Sequence, residues 1–289
     1  MRTVSAQEFA APPAGVAVRL RTEAGEVRVR VWPAADGGVG RPILLCHHGW
    51  ASTGEVFGPL ATALGRRWTV VAPDAPGHGG TPWTPAPRYR VADHAATALA
   101  VLDRLPKVAG RRADVVVHGH SLGALTAARV AAARPDVVVH LVLEDPARAS
   151  LRRVPTAASM RAGTAALQAL DDDALLAAGR AGAPTWPDDE FGPWARSKRE
   201  VSLAALSVPA DWGEPLVELL ADVRAPVTLV HGQVSRGGVV SAIAARRCAA
   251  ACRGGCEIVA LDCGHNPRRE AREPFIAVLA SVLGRHERS

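Results

Sequence analysis

The segment Val115-Val116-Val117-His118-Gly119-His120-Ser121-Leu122-Gly123, running directly into the Ala-rich stretch Ala124 to Ala133, constrains the fold more than any other part of this 289-residue chain. A short apolar run reads as a buried strand, and an Ala/Leu-rich segment directly after it as a helix. Joining the two through G-x-S-x-G demands a sharp turn with the serine in a strained backbone conformation, its Oγ exposed above the sheet edge. Small residues at 119 and 123 let strand and helix approach. The helix start behind Ser121 offers free N–H groups and positive dipole character where negative charge would develop.

The same rhythm runs along the rest of the chain. Apolar alternation at Val16 to Leu20 and Val27 to Trp32 predicts a hairpin of two edge strands turning near Ala24-Gly25. Apolar runs at Ile43 to Cys46, Trp68 to Ala72, Asp114 to Val117, Val138 to Leu143, Val227 to Val230 and Glu257 to Leu261 predict buried parallel strands. Helices are expected at Val56 to Leu64, Val91 to Leu105, Leu122 to Ala133, Val240 to Ala251 and Ala271 to Leu283. Strand and helix in alternation mean a doubly wound, mostly parallel sheet. The rhythm breaks between Pro146 and Pro209, where helical pieces hold Trp186 and Trp194 but no clear strand. This stretch, about 147–210, is expected to be a helical cap inserted into one domain spanning 1–289.

Composition removes several classes of function. The net charge of +6 invites a nucleic-acid reading, but the arginines are scattered among acids, Lys107 and Lys198 are the only lysines, and aromatics are 4% of the chain, too few for base-stacking platforms. No apolar run approaches the ~18 residues a membrane span needs, and Met1 to Val31 has no signal-like core, so a cytoplasmic protein is expected. Cys248, Cys252 and Cys256 stand at C-x3-C-x3-C, whereas zinc sites usually join a C-x2-4-C pair to a second pair or to histidines, and here Gly254 and Gly255 interrupt any helix before Cys256. Buried small apolar residues or an incidental disulfide explain them better than zinc. Cys46 and Cys263 stand apart from this set.

With these motifs in place the chain resembles the α/β-hydrolase superfamily, in order from Ile43 to the last helix. That resemblance implies an eight-stranded sheet under a helical cap, with Ser121 as nucleophile. His47-His48-Gly49-Trp50 is similar to the family's His-Gly-X turn. It implies that the backbone N–H groups of Trp50 and Leu122 form the oxyanion hole, the two histidines either shaping the turn or touching substrate. Asp74-Ala75-Pro76-Gly77-His78-Gly79-Gly80-Thr81 resembles a Gly-rich turn of the family that supports the fold; no G-K-[ST] follows to make it a phosphate loop. Asp262-Cys263-Gly264-His265-Asn266 stands where the family carries its catalytic histidine, and an imidazole that titrates near neutrality suits the exchange of a proton with Ser121.

One part of the family pattern fails. The acid normally follows the seventh strand as H-G-x-x-D, yet this chain reads His231-Gly232-Gln233-Val234-Ser235. The sixth strand ends in Glu144-Asp145-Pro146, from which some relatives take their acid. Alignment of strand ends favours Asp145, with Glu144 as the alternative; a bland role for Asp145 is to cap the start of the insertion.

The resulting expectation is a serine hydrolase of small carboxylic esters, lactones or related acyl compounds that uses Ser121, His265 and Asp145 with no metal or organic cofactor. It would be a monomer or homodimer, with a small molecule as its partner and neither nucleic acid nor membrane. The competing expectation is a ligand-binding or non-hydrolytic descendant (lyase, cyclase or receptor-like) with a degenerate triad. Under either, Trp186, Trp194 and Trp212 in or beside the cap are expected to line an apolar, partly aromatic pocket or to form the core of the cap.

Overall fold

The computed structural model describes residues 15–288 apart from 24, 106, 109–110 and 150–154, with the backbone alone at 107–108 and 111–112. Eight strands form its main sheet: β1 (Val16–Thr22), β2 (Gly25–Trp32), β3 (Ile43–His47), β4 (Val70–Pro73), β5 (Val115–His120), β6 (Val138–Glu144), β7 (Val227–His231) and β8 (Cys256–Ala260). Their order is β1-β2-β4-β3-β5-β6-β7-β8. The β1–β2 and β2–β4 pairs are antiparallel and the others parallel. Among the hairpin strands only β1 is an edge. β2 lies between β1 and β4, which corrects the reading of both as edge strands. Ala24, half of the expected turn, and residues 1–14 lie outside the described residues.

Burial follows from position in the sheet. β3, β5 and β7 are buried at every residue, as strands covered on both faces must be. β1, at the edge, alternates half-buried and exposed residues. Ile43, Leu45, Val115 and Val117 face one apolar layer with α2 (Val91–Leu102), α3 (Leu122–Ala133), α7 (Leu216–Leu220) and α8 (Ala242–Ala251). Leu44, Cys46 and Val116 face the other, with α1 (Gly58–Ala63) and α10 (Arg272–Gly284), whose Phe275, Leu279, Val282 and Leu283 are buried. Alternate residues of one strand serve opposite layers because its side chains have a period of two.

Between β6 and β7 lie α4 (Ala157–Gln168), α5 (Asp172–Gly182) and α6 (Phe191–Arg199). Thr156 and Asp171 cap α4 and α5, each accepting from the N–H three residues on. Gly179 of α5 lies under the Trp194 ring of α6, where an added Cβ would come within 2.6 Å. Residues 150–154 of the expected insertion lie outside the described residues. The helix expected over Ala271 to Leu283 is preceded by a separate turn, α9 (Pro267–Glu270), broken at Ala271. The helix expected over Val56 to Leu64 begins as a 3-10 turn at Gly54–Phe57. Among the described residues no helix is long and apolar enough to cross a membrane.

Candidate active site

Ser121 stands between β5 and α3 with φ 54° and ψ −116°, a conformation L-residues rarely adopt. The glycines around it permit the turn: a Cβ on Gly119 would come 2.2 Å from the Gly123 carbonyl oxygen, and one on Gly123 2.1 Å from that of His47. The Ser121 N–H donates to the Glu144 carbonyl at 3.0 Å, which ties the turn to the end of β6. Leu122 opens α3, so its N–H has no intrahelical acceptor. Trp50 precedes Ala51, itself at φ 54°, and the Trp50 N–H finds no protein acceptor among the described residues. The two expected oxyanion donors therefore lie on the two turns that meet at Ser121.

His265 Nε2 is 3.1 Å from Ser121 Oγ, and His265 Nδ1 is 2.6 Å from Asp145 Oδ2. The loop carrying His265 is held by Glu270, whose carboxylate accepts from the Gly264 N–H at 2.6 Å and the Asn266 N–H at 3.0 Å. His120 Nε2 donates to the His265 carbonyl at 2.9 Å. Asp145 is fully buried at φ 38°, and its Oδ2 also accepts from the Val239 N–H at 2.9 Å. It does not cap the insertion. Its own N–H donates to the Val230 carbonyl at 2.8 Å. Because β5, β6 and β7 are consecutive in the sheet, the residue that follows β6 reaches the imidazole from beside the residue that follows β5. Gln233 and Ser235, at the place of the usual acid, are exposed, and Gln233 donates to Asp262 at 2.9 Å.

Glu144 is not brought to His265. Its carboxylate accepts from the Arg268 N–H at 2.9 Å, from Arg268 Nη1 at 3.1 Å and from His118 Nε2 at 3.1 Å. Burial alone would raise its pKa, but Arg268 beside it, with His120 and His118, holds the carboxyl well below the usual range. His48 is similarly occupied: Nδ1–H donates to the Gly49 carbonyl at 2.8 Å and Nε2 accepts from the Ala75 N–H at 3.0 Å. Burial pushes its pKa down to about 4 and that of buried His47 to about 3. Both shape the turn, and neither lines the cavity over Ser121. In the Gly-rich turn, Asp74 accepts from the Gly54 N–H at 2.7 Å and the Gly80 N–H at 3.0 Å, a structural role. All five cysteines are free thiols.

Over Ser121 and His265 opens a cavity of about 270 Å³, walled by Trp50, Trp186, Trp194, Trp212 and Met160. All three predicted pocket tryptophans line it. Sequence reasoning missed its cations, Arg148, Lys198, Arg268 and Arg269. One readable signal was the adjacent pair Arg268-Arg269, two cations in the short turn directly after the His265 loop. Buried there, they need acids, and Glu144 and Glu190 supply them at 3.1 Å and 2.9 Å.

The family profile described as alpha/beta hydrolase family matches residues 43–278. The chain belongs to this family. It is 31% identical over 262 residues to a pimeloyl-[acyl-carrier protein] methyl ester esterase of Aromatoleum aromaticum, covering 84% of this α/β hydrolase and 98% of that protein. It is 29% identical over 239 residues to a 2-(acetamidomethylene)succinate hydrolase of Mesorhizobium japonicum, covering 78% and 81%. A further match, 34% identical over 128 residues, spans only 36% of a serine hydrolase-like protein of Danio rerio. The crystal structure of E-2-(acetamidomethylene)succinate hydrolase shares the fold, with a TM-score of 0.72 at 24% identity over 92% of this chain and 98% of that one.

Proposed function

We propose that this α/β hydrolase cleaves a small carboxylic ester, lactone or related acyl compound through an acyl-enzyme on Ser121. The observation that carries the reading is the unbroken hydrogen-bond chain from Ser121 and His265, which line the cavity, to buried Asp145 behind them. On this reading His265 Nε2 takes the Ser121 proton as Oγ attacks the acyl carbon. Asp145 holds the ring and stabilises the imidazolium. The N–H groups of Trp50 and Leu122 bind the oxyanion, a contribution of about 3 kcal/mol of barrier per donor in comparable sites. His265 then returns the proton to the leaving group, and water repeats the sequence on the acyl-enzyme.

The names of the relatives, an ester esterase and a hydrolase of an acetamido compound, support acyl transfer to water. The helices α4 to α6 act as a cap that shapes the acyl pocket. Five free thiols fit a reducing cytoplasm. The rival reading of a non-hydrolytic descendant rests on the lack of an acid after β7; Asp145 at 2.6 Å from His265 supports the hydrolytic one. The test is intact-mass analysis after a fluorophosphonate probe: the wild type gains one adduct and Ser121→Ala none. An unlabelled wild type, or a labelled Ser121→Ala, refutes the assignment.

A further inference from the structure

We propose that the cavity over Ser121 takes substrates that carry a carboxylate at the far end of an apolar acyl chain, with Lys198 as the residue that binds it; this rests on the hydrolase reading above. Trp194 and Lys198 lie four residues apart on α6 and so share one face of the helix. The Lys198 ammonium sits 5.7 Å from the centre of the Trp194 ring and donates to the Ala51 carbonyl at 2.6 Å. An ammonium has three protons to donate. Among the described residues no carboxylate lies within ion-pair distance of it.

The acids near it are already engaged. Glu55, on the 3-10 turn packed against α6, binds Arg30 and Arg196. Glu190, which leads into α6, binds Arg269 and Arg272. Glu144 binds Arg268, Asp145 binds His265, and Glu200 binds Arg28. The remaining charged neighbours are cations: Arg269, whose guanidinium stacks over Trp186 at 4.1 Å with Nη2 unpartnered, and Arg148 at the exposed rim. Desolvation, with Arg269 beside it, pushes the Lys198 pKa down to about 7.

A lone ammonium held among tryptophans is unfavourable unless a counter-charge joins it. One unmatched inner charge matches a monoanion, and a carboxylate fits that count where a phosphate dianion does not. The walls of Trp186, Trp194, Trp212 and Met160 suit the hydrocarbon between that carboxylate and the acyl carbon on Ser121. A carboxylate arriving at Lys198 raises its pKa, so binding near pH 8 takes up protons.

The test compares mono-p-nitrophenyl adipate with p-nitrophenyl hexanoate as substrates, and measures adipate binding to Ser121→Ala by calorimetry in two buffers of different ionisation enthalpy. The wild type prefers the adipate ester. Lys198→Gln lowers the adipate-to-hexanoate ratio of kcat/KM by about tenfold or more, a ratio internal to each variant and insensitive to its folded fraction. Lys198→Arg retains most of the ratio. Adipate binding to Ser121→Ala takes up protons, and adding Lys198→Gln abolishes the uptake. Equal turnover of the two esters by the wild type, or an unchanged ratio in Lys198→Gln, overturns the proposal. Fluorophosphonate labelling without adipate preference removes this inference and leaves the hydrolase reading. Adipate binding with proton uptake but no labelling refutes the hydrolase reading and leaves only carboxylate binding at Lys198.

Discussion

Replacing Asp145 by Asn tests the part of the site that departs from the family pattern. The substitution preserves shape and one hydrogen bond but removes the negative charge beside the imidazolium. With Nδ1 and Oδ2 at 2.6 Å, the charge centres are about 4 Å apart, and an effective dielectric of ~20 gives an attraction of ~4 kcal/mol. At ~1.4 kcal/mol per decade this alone is a factor of ~10³ in rate. The Asn side chain can also turn its NH₂ toward Nδ1 and stabilise the wrong tautomer, which raises the loss toward the ~10⁴ seen for such a change in a serine protease. The expected outcome is a fall of ~10³ to ~10⁴ in kcat on an activated aryl ester, with KM little changed. The same fall is expected in the rate of fluorophosphonate labelling. Circular dichroism should match the wild type, since Asn keeps the shape of Asp145 and its amide oxygen, when turned to the position of Oδ2, still accepts from the Val239 N–H. An Asp145→Asn enzyme within about tenfold of wild type would mean that another carboxylate orients His265 and would refute the reasoning.

Glu144→Gln acts on stability, because it leaves the buried Arg268 guanidinium without its counter-charge; a loss of ~3 to 5 kcal/mol is expected in urea denaturation. An effect under about 1 kcal/mol would mean that the pair is dispensable. Gly123→Ala, whose Cβ would meet the His47 carbonyl oxygen at 2.1 Å, should destabilise by at least ~3 kcal/mol or abolish soluble expression. Acid should weaken the fold through His48, His47 and His78, which burial holds neutral with pKa values of about 4, 3 and 3. In the unfolded chain each titrates near ~6.5, so below that pH the unfolded state binds more protons. The stability is therefore fully present above ~pH 6.5 and is lost at up to ~1.4 kcal/mol per histidine per pH unit on the way down to the folded values. Thermal melting at about pH 7.5 and about pH 5 checks this, and equal midpoints would contradict it.

What the sequence determined by itself was the scaffold and two members of the candidate site. Buried strands such as Val115-Val116-Val117 and helices such as Leu122 to Ala133 are written in local periodicity, and the Gly119/Gly123 turn is a local steric requirement, so the fold and Ser121 were legible. His265 was legible through the family resemblance, which places a catalytic histidine on the loop after the last strand. The acid was narrowed to two adjacent residues. Only the tertiary structure separates them, because β6 directs the Asp145 side chain toward His265 and leaves Glu144 with Arg268. The internal place of β2 depends on non-local pairing with β4, which no hairpin pattern encodes. The positive charge in the cavity was least legible of all. Lys198, Arg268 and Arg269 come to line one cavity only in the folded chain, and which acids reach them decides which cation is left unmatched. Charge balance in a buried pocket is a sum over groups distant in the chain, and sequence spacing carries no record of that sum.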